Sequence, residues 1–225
     1  MKLCAVSPFK SASREEILSF LQRTTADLVI LPGFSKENTP LPEEIRKVIH
    51  RGVAVFVELG SPDRARKTKT TPYLVTRAMS VPMPRGTYRG KGKASRASGS
   101  AWPTAKDMDK LVGACRERTF PIGSRKVTFV ICGEITGFNP DGTMKHRRRL
   151  QFDILANPVH TIMRRWYWLG PKLSALSKGR TVVHVANNPG NHGNLSTDLR
   201  IYIDGKLQDR RVKRGEPLKW CECVI

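Results

Sequence analysis

Three apolar runs in the first sixty residues constrain this chain more than any other feature. Lys2 to Val6, Leu28 to Leu31 and Val53 to Leu59 are almost continuously apolar, not apolar at alternate positions. A strand with two apolar faces has to be covered on both. The cover is present in the sequence. Ser13 with Glu16 forms a capping-box pair ahead of Ile17, Leu18 and Leu21, which predicts a helix from about Arg14 to about Thr24. Pro42, followed by Glu43 and Glu44, opens a second helical stripe through Ile45, Val48 and Ile49, ended by Gly52. The order is β-α-β-α-β, the pattern of a sheet carrying helices on its face. An all-β or all-helical fold is excluded.

The remainder extends the same class. A strand is expected within Pro72 to Val81 and a short helix over Asp107 to Arg118. Strands are expected over Val127 to Ile131, Phe152 to Ala156, Thr181 to Ala186 and Trp220 to Val224. Residues 161–178 read as a helix interrupted at Gly170-Pro171. Leu199 to Ile203, Asp204-Gly205 and Leu207 to Val212 read as a hairpin. With 225 residues and no internal repeat, the expectation is a single domain spanning 1–225.

Charge narrows the partners. Forty Lys and Arg against 19 Asp and Glu give +21, a balance that attracts polyanions such as nucleic acid. Residues 61–100 concentrate it, with ten cations and the single acid Asp63, and about 85–100 reads as an extended basic loop. No apolar run is long enough to span a bilayer, and the N-terminal apolar run is too short for a secretory signal. Five cysteines, an odd and irregularly spaced set, argue against a disulfide framework and for a cytoplasmic setting.

The stretch Arg125 to Phe138 carries the chemistry. Its apolar strand stops at Cys132-Gly133-Glu134, a sharp turn that can present a thiol at a sheet edge, with Glu134 as base or orienting group. The competing reading is a small apolar cysteine packed at a strand end.

Taken together, the opening strand, ADLVILPG, VAVFVELG, VTFVICGE, FDILANP, GRTVVHVANN, GNLS and IYIDGKL fall in the order of the nitrilase, or carbon–nitrogen hydrolase, superfamily, and the chain resembles that family over nearly its full length. The resemblance implies an α-β-β-α sandwich, a homodimer paired through helices beside the active site, and a small amide or nitrile substrate cleaved by a Glu-Lys-Cys triad without a cofactor or metal. Cys132 matches the nucleophile and Glu134 the acid often found two residues later. Lys91 or Lys93 in YRGKGK matches the lysine, although both also fit a solvated basic loop. Gly33, Asn157, Asn187 and His192 fall where substrate contacts are implied. One departure matters: the family's Leu-Pro-Glu is Leu31-Pro32-Gly33 here, and glycine cannot move a proton. Two functions follow, a hydrolase with an altered triad or a pseudoenzyme that binds a polyanion on its basic surface.

Three further signals are weaker. Cys221-Glu222-Cys223 lacks a second metal-binding pair and reads as a strand end. His184 lies in an apolar strand and reads as a packed core residue. Arg164 to Trp168 suits either nucleic-acid stacking or a dimer interface, and the implied dimer favours the interface.

Overall fold

The apolar strands form two sheets packed face to face. The computed structural model describes residues 1–8, 12–33, 39–60, 70–87, 103–159, 166–186, 199–208, 212–215 and 218–225. In chain order the strands are β1 (Lys2–Pro8), β2 (Leu28–Ile30), β3 (Ala54–Gly60), β4 (Thr70–Thr76), β5 (Ser80–Pro82), β6 (Thr119–Ile122), β7 (Arg125–Phe129), β8 (Ile154–Val159), β9 (Thr181–Ala186), β10 (Leu199–Ile203), β11 (Lys206–Leu207), β12 (Val212–Gly215) and β13 (Leu218–Val224). The helices are α1 (Arg14–Arg23), α2 (Pro42–Val48), α3 (Ala105–Glu117) and α4 (Trp166–Leu176), with three-ten turns at Cys132–Gly137 and Lys145–Arg147. One sheet runs β12-β13-β1-β2-β3-β4-β5 and the other β11-β10-β9-β8-β7-β6.

Three apolar layers hold the sheets and helices together. Leu3, Leu28, Ile30 and Phe56 from the first sheet meet Phe129, Ile154, Ala156 and Val183 from the second. The Phe56 and Phe129 rings stack with centroids 4.9 Å apart. The opposite faces carry the helices: Val29, Val55 and Val57 pack on Ile17, Leu21 and Ile45, while Leu155 and Val182 pack on Leu111, Cys115 and Leu173. The architecture is an α-β-β-α sandwich, as expected. Alternation along β3 sends Val55 and Val57 to the helices and Phe56 between the sheets, and Glu58 shares the parity of Phe56.

Four elements differ from the sequence expectation. The single strand expected within Pro72 to Val81 is a hairpin, β4 and β5 pairing antiparallel around Arg77-Ala78. The strand expected from Phe152 begins two residues later, because Phe152 turns onto the helix side and carries the Arg180 guanidinium 4.6 Å above its ring. Helix α4 runs through Pro171 unbroken. Proline there removes only the amide that would have bonded the Tyr167 carbonyl, and Tyr167 is 81% exposed and open to water. The expected hairpin shortens to Lys206–Leu207 beyond Asp204-Gly205, both at positive φ, and Val212–Gly215 pairs with β13 in the other sheet.

Candidate active site

Strand β7 lies inside the second sheet, parallel to β8, and delivers the chain to Cys132. There the backbone turns over: Cys132 has φ 49°, a left-handed conformation uncommon for a side-chain-bearing residue and shared in this chain by His146, Arg147 and Asp204. Among the five cysteines it alone is half-buried; Cys4, Cys115, Cys221 and Cys223 are buried. Burial pushes the Cys115 thiol up to about 12, with the Arg118 charge working the other way, and burial raises Cys4 further. Those two thiols are held in the unreactive form.

What imposes the turn is a buried carboxylate. Glu134 has no solvent exposure, and each of its oxygens is engaged. Oε1 accepts from the Thr87 amide at 2.6 Å, the Thr87 hydroxyl at 3.0 Å and Arg118 Nη2 at 2.9 Å. Oε2 accepts from the Ile131 amide at 2.7 Å, with Arg118 Nη1 2.8 Å away. This carboxylate ties together the residue before the cysteine, the end of α3 and the segment after β5. A proton shuttle needs an open lone pair facing the substrate, and Glu134 is spent on bracing. The bonds from Ile131, Thr87 and Arg118 suit the orienting role that the sequence offers for Glu134.

Arg118 is itself fully buried, and its Nε donates to the Ala114 carbonyl at 3.1 Å. Burial opposes its charge, but Glu134 foremost, with Cys115 and Glu58, outweighs burial and raises its pKa. Nothing in the sequence singled out Arg118. Arginine after a helix ordinarily reads as a solvated cap, and only the approach of β6 and β7 encloses it.

A second buried relay supports the turn from β8 and β9. The Asn157 amide donates to the Val130 carbonyl at 2.6 Å and the Cys132 carbonyl at 3.3 Å, which fixes which end of the amide is oxygen. That oxygen lies 2.8 Å from His184 Nδ1, so Nδ1 carries the proton. Asn157 is wholly buried, and its amide nitrogen is bonded to backbone on both sides of Ile131. His184 is the core residue its strand implied. Burial, with Arg200 nearby, lowers its pKa to about 3, and Nε2 has no hydrogen-bond partner among the described residues.

Acid should therefore loosen the fold. His184 has a folded pKa far below its ordinary 6.5, so the unfolded chain binds the extra proton and stability is lost as pH falls from about 6.5 towards 3. The expected loss is on the order of 1 kcal/mol per pH unit, read as urea midpoints at pH 7.5 and 5.5, and His184→Gln should flatten that dependence.

Gly33 lies buried at the bend that ends the second strand's path, and Leu31 still donates to the Phe56 carbonyl at 3.2 Å. The β2–β3 register is parallel with an offset of 26 (Leu28 to Ala54), so continuing it sets Pro32 beside Glu58 (32 + 26 = 58). Glu58 is 1% exposed, on the inter-sheet face, and near enough to Arg118 to act on its charge. The sequence signal for it was present: an acid in the otherwise apolar run Val53 to Leu59. Lys172, on α4, reaches the Ile135 carbonyl at 3.3 Å, and burial, then Lys145, lowers its pKa to about 8. Lys91, Lys93, Asn187 and His192 lie outside the described residues, as does most of the basic loop.

No protein-family model matches the chain, and no curated protein matches it. Solved structures do. A CN-hydrolase superfamily protein from Xanthomonas campestris, with an arsenic adduct in its active site, is similar at 16% identity and TM-score 0.59, over 100% of this chain and 91% of that one. An amidase from Nesterenkonia sp. is similar at 15% identity and TM-score 0.55, over 99% and 90%. A mutant of that amidase, showing Michael addition of acrylamide at the active site cysteine, is similar at 15% identity and TM-score 0.51, over 98% and 92%. The shared property is the fold: this chain has the α-β-β-α architecture of the nitrilase superfamily.

Proposed function

We propose that the chain hydrolyses a C–N bond in a small amide, with Cys132 as nucleophile and Glu58 as the proton carrier in place of the side chain that Gly33 lacks. The observation that carries the proposal is the left-handed turn at Cys132, a half-buried residue braced by the buried side chains of Glu134 and Asn157. Backbone strain kept in place by so many bonds marks a group whose position matters. The amidase of the same fold, with acrylamide added at its active-site cysteine, supports the chemistry assigned here.

Sγ attacks the amide carbon, the thiol proton passes to the Glu58 carboxylate, and the C–N bond breaks as that proton reaches the nitrogen. Ammonia leaves a thioester on Cys132. Glu58 then takes a proton from water, the hydroxide opens the thioester, and the proton returns to the thiolate, releasing a carboxylic acid. Lys91 or Lys93 stabilises the tetrahedral oxyanion; they follow Thr87, the residue bonded to Glu134, by four and six positions.

Glu58→Gln keeps the shape and removes the base. Ammonia release from a panel of short aliphatic amides should fall roughly 10²- to 10⁴-fold with the melting transition preserved. Equal rates in the two proteins would remove Glu58 from the mechanism. No ammonia from the wild-type chain with any amide would favour the pseudoenzyme reading, which Gly33 motivates.

A further inference from the structure

At the far end of β7 from Cys132 the surface opens into a cleft of about 490 Å³ lined by Arg116, Thr119, Lys126, Arg149, Leu150 and Gln151. Lys126 stands six residues before Cys132, so the cleft and the thiol are roughly 15 to 20 Å apart along the strand. Three elements build it: the last turn of α3, the β6–β7 hairpin, and the segment leading into β8. Its lining holds three cations, a hydroxyl and a side-chain amide, and no carboxylate.

The nearby acids are already engaged or turned elsewhere. Asp153 Oδ2 accepts from the Lys126 amide at 2.7 Å. Asp109 is held by Arg148 at 2.6 and 3.0 Å, and Glu117 is exposed on α3. Arg116, Lys126 and Arg149 form no ion pair with a described residue, and all three are exposed. Arg125 and Arg147 continue the positive surface on either side.

We infer that this cleft binds the phosphodiester backbone of nucleic acid, independently of the chemistry at Cys132. Exposed side chains hold a single small anion weakly, because each contact is made in water and screened by salt. Several phosphates on one strand sum such contacts and release counterions, which is how a surface of this kind gains affinity. The cleft presents no aromatic ring to stack on a base, so binding is to backbone and indifferent to sequence. The net charge of +21 draws the polyanion in from a distance.

Anisotropy of a labelled single-stranded 20-mer, titrated between 50 and 200 mM salt, tests this. Replacing Arg116, Lys126 and Arg149 together by glutamine should reduce the slope of log K against log salt by about 2, at roughly 0.7 per phosphate contact. A control protein with Arg23, Arg51 and Lys206 replaced by glutamine loses the same charge elsewhere and should keep the slope. Lys126→Gln alone, the mildest change, should lower it by about 0.7. Equal losses in the cleft and control proteins would show attraction by net charge and overturn the assignment. So would pyrophosphate binding as tightly as the 20-mer, which would make the cleft a small-anion site.

Discussion

Arg118→Leu should destabilise the protein by about 3 to 5 kcal/mol, because it leaves the Glu134 carboxylate buried with its cation removed. Against a total stability of about 5 to 15 kcal/mol, such a loss is severe. The reason lies in the asymmetry of buried pairs: the pair as a whole can be near neutral, while half of it is costly. Arg118→Met combined with Glu134→Leu should therefore recover part of the lost stability, but not all, because the Ile131 and Thr87 amides lose their acceptor. Chemical denaturation of the two proteins reads the difference directly. A single-variant loss below about 1 kcal/mol would mean that water reaches Glu134, contrary to its complete burial. The double variant should also react more slowly than the parent with a thiol reagent at Cys132, since the bond from Ile131 to Glu134 that shapes the turn is gone.

Cys132→Ala should cut amide turnover by on the order of 10⁴-fold or more, the usual consequence of removing a covalent nucleophile. Stability should change by less than about 1 kcal/mol, because the thiol is half-exposed and alanine keeps Cβ. Cys132→Gly separates the two demands on this position. Glycine accepts φ 49° without strain, so that protein should be as stable as the parent or slightly more so, and equally inactive. A Cys132→Gly protein markedly less stable than Cys132→Ala would mean the turn carries no strain. Ammonia release with thermal melts of the three proteins decides both points.

The layers of the fold were legible because the apolar pattern specifies them. Val55 and Phe56 are adjacent apolar residues, and a strand needing both can only lie between two covers. Breaks in the pattern were read less well. Pro171 suggests an interruption until its one lost hydrogen bond is seen to fall at exposed Tyr167. The site divides in the same way. Cys132 announces itself through the Cys-Gly at a strand end, a local signal. Glu134, Asn157 and Arg118 bond across 16 to 47 residues of chain, to partners that only the fold brings together. Their residue types fit a catalytic role as well as a bracing one, and only their hydrogen-bond partners in the fold bring out the bracing. Gly33 showed where a carboxylate is missing. That Glu58 lies one strand over required the β2–β3 register.

A nucleophilic Cys132 has to be more reactive in the fold than an ordinary thiol. The most direct measurement is its rate of acylation by a small activated acyl donor, followed by intact-protein and peptide mass spectrometry in native buffer and in urea. The prediction is one adduct, at Cys132, formed faster in the folded protein than at the same thiol in the unfolded chain, and slowed by Glu58→Gln. Cys115, with its thiol pushed up to about 12 by burial, should react only after unfolding. A folded-state rate at Cys132 equal to or below the unfolded rate would contradict an activated nucleophile.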